Sequence, residues 1–199
     1  MVTKIFTIVN EHSAFIRWRR ERVGSDTRIV SYSDHGGLCA GMTATWLKKS
    51  IATGGRGIRN LAELGSLHLM AIVHGAFARK PPPEDDKLNT VDSIIPLLTT
   101  QNLAVWESLR GTKQFDTQGI VVWVSFRPCH CVFVFVDQTY QHGHVIGMRC
   151  EGDMLEIFDP NRGLFQYPDI KSCTGHLQKV ILADHPRCLG GDWGVFRVV

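Results

Sequence analysis

The sequence has no apolar run long enough to cross a bilayer as a helix. Met1 to Asn10 holds too short an apolar stretch for a cleavable signal peptide, and Val2 rather than glycine follows Met1, so neither a secretory leader nor an N-myristoyl group is expected. Charge of one sign is also scarce. Against 22 Lys and Arg stand 19 Asp and Glu, and the net +3 is dispersed, which leaves no nucleic-acid stripe and no polybasic membrane anchor. The one basic cluster, Arg17 to Arg22, is interrupted by Glu21 and reads as a solvated helix face. Six cysteines in 199 residues are too sparse for a disulfide scaffold, so reduced thiols are expected. Cys129, His130, Cys131, His142, His144 and Cys150 could supply soft ligands, but the cysteine pair lacks the spacing of a zinc site. Gly54-Gly55-Arg56-Gly57 lacks the lysine and hydroxyl of a phosphate loop and reads as a helix stop. Neither a metal nor a cofactor is expected.

The 44% of hydrophobic residues suffices for one core, and a single soluble domain over residues 1–199 is expected. Helical periodicity comes first. Ser13 to Arg22, Gly37 to Ser50, Ile58 to Ala78 and Val91 to Leu109 read as helices, the last interrupted near Pro96, with Lys80 to Asn89 a proline-rich and charged loop. From Gly119 onward the segments are short, β-branched and aromatic. Gly119 to Arg127, Cys131 to Val136, His144 to Cys150, Met154 to Phe158, Lys179 to Ala183 and Trp193 to Val198 are predicted strands, an α+β order.

Cys39 carries the most chemical information. Glycines lead directly into a helix in which Leu38, Met42 and Trp46 recur every four residues, so the thiol sits at the helix N-terminus, where free amide N–H groups and the helix dipole favour thiolate. A buried core cysteine needs no such glycines, whereas the other five read as inert core residues. A base and its orienter lie downstream. Glu151-Gly152-Asp153-Met154 fits a type II′ hairpin, and pairing Glu151 with Met154 sets Arg149 opposite Glu156, Met148 opposite Ile157 and Ile146 opposite Asp159. One face is then Ile146, Met148, Cys150, Leu155 and Ile157, and the other carries the Arg149–Glu156 pair. His144 shares the apolar face and lies diagonal to Asp159, at a Cβ separation of roughly 7 Å that an imidazole and a carboxylate can bridge. His142 is a rival base on the same face. Asp159-Pro160-Asn161-Arg162-Gly163 could instead be a turn that Asp159 merely initiates.

Gly37-Leu38-Cys39-Ala40-Gly41-Met42 with Trp46, then His144, then Phe158-Asp159-Pro160-Asn161-Arg162-Gly163-Leu164-Phe165, resembles the YopT/AvrPphB group of papain-like cysteine peptidases, effectors that bacteria deliver into host cells. The resemblance implies a papain-like fold, a helical N-terminal half packed on a C-terminal antiparallel sheet, with Cys39 as nucleophile, His144 as base and Asp159 as its orienter. In the place where papain-like enzymes carry a polar oxyanion-hole donor stands Asp34, whose carboxyl donates only when protonated. It implies further a host protein substrate, among which small GTPases and a kinase are known for relatives, and passage through a bacterial secretion system into the host cytoplasm. The same triad could deamidate or transglutaminate a host glutamine or cleave a cell-wall amide. A non-catalytic virulence adaptor that keeps the fold is the alternative of another class.

Overall fold

The computed structural model describes residues 1–8, 38–66, 69–70, 73, 91–139 and 142–199. Asp34, the expected helix Ser13 to Arg22 and the loop Lys80 to Asn89 lie outside them. Seven strands form one antiparallel sheet: β1 Thr3–Thr7, β2 Val105–Thr112, β3 Cys129–Val136, β4 Gly143–Glu151, β5 Met154–Asp159, β6 Gly163–Tyr167 and β7 Asp192–Val198. Their spatial order is β1-β6-β5-β4-β3-β7-β2. The described α-helices are α1 Cys39–Ala52, α2 Ile94–Thr100, α3 Thr117–Ser125 and α4 Ile170–His176.

The alternation of side chains along the strands gives the sheet two apolar faces, and each is covered. On one, Val132, Val134, Val145, Phe158, Leu164 and Phe196 pack with Met42, Trp46 and Leu47 of α1 and with Ile94, Leu97 and Leu98 of α2. On the other, Phe133, Phe135, Ile146, Met148, Ile157 and Val195 meet Ile120, Val121 and Val124 of α3, together with Cys173, Leu177 and Ile181. Helices α1 and α2 therefore cover one face, and α3, α4 and the turns after it cover the second.

Three expected elements differ. Gly119 to Arg127 is not a strand but lies mostly in α3: Asp116 caps it by accepting from the Gly119 N–H at 2.8 Å, and Ile120, Val121 and Val124 recur on one buried flank. Burial against the sheet outweighs the strand preference of its valines. Lys179 to Ala183 is likewise helical, because the chain capped at Asp169 runs on from α4 through a π turn, Leu177–Ile181, into a 3₁₀ turn, Leu182–Asp184. Val91 to Leu109 is helical only over α2. Asn102, at φ 58°, ends the helical stretch and the chain enters β2, while Pro96 sits within the first turn of α2, where its missing N–H costs nothing. Of Ile58 to Ala78, residues 58–66, 69–70 and 73 are described: Leu61–Leu64 is a 3₁₀ turn, residues 69, 70 and 73 are helical, and 58–60 and 65–66 are not. The Gly54-Gly55 stop stands as expected, with both glycines at positive φ after the α1 C-cap at Thr53.

The hairpin of β4 and β5 has the expected register: Glu151 opposite Met154, Arg149 opposite Glu156, Met148 opposite Ile157. Its polar face differs in environment. Arg149 and Glu156 are both fully buried as side chains, 3.0 Å apart, with Arg59 also on Glu156 and the Gly55 carbonyl on Arg149. The segment after α1 lies over this end of the hairpin and shuts out solvent.

Candidate active site

Helix α1 opens at Cys39. Leu38 is its N-cap and supplies no side-chain acceptor, so the first-turn N–H groups point toward the thiol end of the helix without a capping partner from that residue. Cys39 is partly exposed, and the other five cysteines are buried. Of these, Cys129 and Cys131 hold their sulfurs 3.6 Å apart inside the core.

Several contacts seat α1 on the strands that carry the other two residues. The Thr43 hydroxyl, one turn beyond Cys39, donates to the carbonyl of Val145 at 3.0 Å, the residue after His144. The indole of Trp46 stacks on Phe158, the residue before Asp159, with centroids 5.4 Å apart and planes at 5°. It also lies against Gly147, where an added Cβ would come within 2.4 Å of the ring. A side chain at 147 would lift α1 off the sheet.

His144 and Asp159 meet across the hairpin. His144 Nε2 and Asp159 Oδ1 are 2.9 Å apart, and both side chains are almost wholly buried. With Nε2 thus engaged, Nδ1 is the nitrogen left for a partner, and Cys39 lies close enough to the ring to raise its pKa. Burial pushes the imidazole pKa down, but the hydrogen bonds and charges of Asp159 and Cys39 outweigh it and hold His144 up at about 10. For Asp159, burial raises the carboxyl pKa, and the hydrogen bond and charge of His144 with the Asn161 N–H more than reverse it. The carboxylate is favoured.

Asp159 is also what the turn reading expected. Its Oδ1 accepts from the Asn161 N–H at 2.9 Å, and its carbonyl accepts from the Arg162 N–H at 3.0 Å. One oxygen thus closes the turn and holds the histidine. Gly163 follows at φ 115° with the Phe6 carbonyl of β1 only 2.0 Å from where a Cβ would stand, so the turn admits no other residue there without moving β1. His142 lies elsewhere, exposed, with Nε2 2.9 Å from Arg187 Nη1. The structure therefore brings Cys39, His144 and Asp159 together, leaves His142 apart, and describes nothing of Asp34.

His185 has no counterpart in the sequence reading. Its ring stacks on His144 at 4.3 Å and 18°, and burial, followed by the charge of His144, lowers its pKa to about 4. It falls just after a segment misread as a strand, and no periodicity marks it.

No protein family matches the sequence by its pattern, and no curated protein matches it by sequence similarity. Among solved structures, the Pseudomonas avirulence protein AvrPphB superposes with a TM-score of 0.59 over 83% of this chain and 93% of that one, at 17% identity. The fold of this chain is the α+β, papain-like fold of AvrPphB.

Proposed function

We propose that the chain is a cysteine peptidase, one catalytic domain over residues 1–199, in which Cys39 is the nucleophile, His144 the general base and Asp159 its orienter. The observation that carries this reading is the buried His144 ring hydrogen-bonded through Nε2 to Asp159, with the one partly exposed thiol, at a helix N-terminus, close enough to act on the same ring. The AvrPphB-like fold supports it.

In the first half-reaction the thiol proton passes to Nδ1 of His144, and the sulfur attacks the scissile carbonyl carbon to form the C–S bond. The carbonyl oxygen takes the negative charge beside the Cys39 N–H, at the positive end of α1. The C–N bond breaks as His144 returns its proton to the departing amine. In the second, water gives a proton to His144, its oxygen attacks the thioester, and the acid product leaves as the thiol is regenerated. Asp159 accepts from Nε2 throughout, which keeps Nδ1 toward the sulfur and stabilises the imidazolium. Asp34 is proposed as a side-chain donor to the oxyanion in its protonated form, since an ionised carboxylate can only accept. The substrate class is a host protein, reached after bacterial secretion, with small GTPases and kinases the first to test.

The experiment is labelling with an active-site-directed thiol probe, followed by mapping of new N-termini in host lysate exposed to wild type, Cys39→Ala and His144→Ala. Cys39-dependent labelling and new N-termini, both lost in His144→Ala, support a peptidase. Ammonia release without new N-termini would move the reading to deamidation, and labelling indifferent to His144 would leave an adaptor that keeps the fold.

A further inference from the structure

The His144 ring needs more than one hydrogen bond to stay in plane, because Nε2 and Nδ1 must address Asp159 and Cys39 at the same time. Two aromatic neighbours define that plane. Phe135 meets His144 edge-on at 5.7 Å, and His185 covers one face of it, nearly parallel at 4.3 Å. Phe135 also meets His185 edge-on, at 5.5 Å, so the three rings form one cluster.

His185 is held in place from several directions. Its N–H donates to the Leu182 carbonyl at 3.0 Å, and its carbonyl accepts from the Cys188 N–H at 3.0 Å. The preceding Asp184 accepts from Arg162 Nε at 2.6 Å, and Arg162 belongs to the turn that Asp159 closes. An ion pair thus ties the segment bearing His185 to the turn bearing the acid. His185 is half-buried where His144 is 3% exposed, so the ring that stacks on His144 is itself partly open to solvent.

We propose that His185 is a positioning residue for the thiol–imidazole pair: its ring, stacked on His144, fixes the imidazole plane and shields the His144–Asp159 hydrogen bond from water. The proposal rests on the catalytic reading of Cys39 and His144. A neutral π face against the ring favours the imidazolium form of His144, and exclusion of water strengthens the bond to Asp159. Among the described residues, the charged and titratable groups around His185 are His144, Asp159, Asp184 and Arg162. Asp184 and Arg162 pair with each other and leave the stacked ring to act on His144.

The test follows the rate of Cys39 alkylation by iodoacetamide against pH, read by peptide mapping, in wild type, His144→Ala, His185→Ala, His185→Phe and His185→Leu, with the thermal midpoint of each. Wild type should alkylate at low pH with a rate that His144→Ala abolishes. His185→Ala should move the inflection up by about one pH unit, a rate about tenfold lower below it. His185→Phe, which keeps a flat ring, should restore the rate to within about threefold, while His185→Leu, of comparable bulk without a ring, should resemble alanine. Should His185→Ala fold poorly, the contrast of phenylalanine with leucine carries the test. Identical profiles for wild type, leucine and alanine would overturn the role of His185 and leave the peptidase reading intact. A wild-type profile unchanged in His144→Ala would overturn that reading and this one with it.

Discussion

The two ends of one hairpin hold two buried carboxylates that differ in kind. Near the β4–β5 turn, Glu156 is paired with Arg149 and Arg59; at the far end, Asp159 is paired with His144. The strands, the register and the near-total burial are shared. What differs is the cation. A guanidinium keeps its proton throughout and leaves no valence for chemistry, so the Arg149 end serves only to close the structure. An imidazole can give its proton away, and here it lies near a thiol that is partly exposed, as the proposed chemistry requires.

The largest effect that would break this comparison comes from the reactive end. Cys39→Ala or His144→Ala should lower peptide turnover by on the order of 10⁴-fold or more with the protein still folded, as measured by activity against circular dichroism. Retained turnover in either variant would remove the distinction between the two ends. At the Arg149 end the expected effect is on stability: Arg149→Ala leaves Glu156 with one cation fewer in a buried site and should cost about 3–5 kcal/mol in chemical denaturation, with turnover per folded molecule unchanged.

Asp159→Asn sharpens the comparison further. An asparagine oxygen can still accept from the Asn161 N–H and from His144, so the turn persists while the charge is lost, and turnover should fall by about 10²-fold with a small change in midpoint. Asp159→Ala removes both bonds and should cost stability as well, so of the two it is the asparagine that separates orientation from turn closure.

The pH dependence should also differ. Because His144 is held up at about 10, its contribution to folding is fully present below its ordinary value of about 6.5 and is lost as pH rises toward 10; the lowered Asp159 contributes above its ordinary carboxyl value and is lost on acidification. The midpoint difference between wild type and His144→Gln should therefore be greatest near pH 5 to 6 and shrink toward pH 10. The smallest effect is expected at the seat of α1, where Thr43→Val removes the bond to the Val145 carbonyl and should cost about 1 kcal/mol, with a modest loss of turnover.

The reactive end was the more legible of the two in the sequence. Alternation along the hairpin and its glycine turn fix which residues face one another, and the glycines before Cys39 mark a helix start, so Cys39, His144 and Asp159 could be proposed from local patterns. The Arg149–Glu156 pair was placed correctly in register, but its burial was not foreseen. Its burial depends on Gly55 and Arg59, nearly a hundred residues away, and no period-two pattern encodes a cover from that distance. The same limit explains α3 and the turns after α4, whose β-branched residues favour strands in isolation and become helical against the second sheet face. β1 and β6 were not read as strands, and His185 reaches His144 only through that misread region.

The distribution of the six thiols has a consequence for life under oxidative stress. With Cys129, Cys131, Cys150, Cys173 and Cys188 all buried, an oxidant meets Cys39 first. A sulfenic acid formed there finds no exposed neighbouring thiol on this chain with which to condense into a protective disulfide, and further oxidation to the sulfinic acid is irreversible by ordinary reductants.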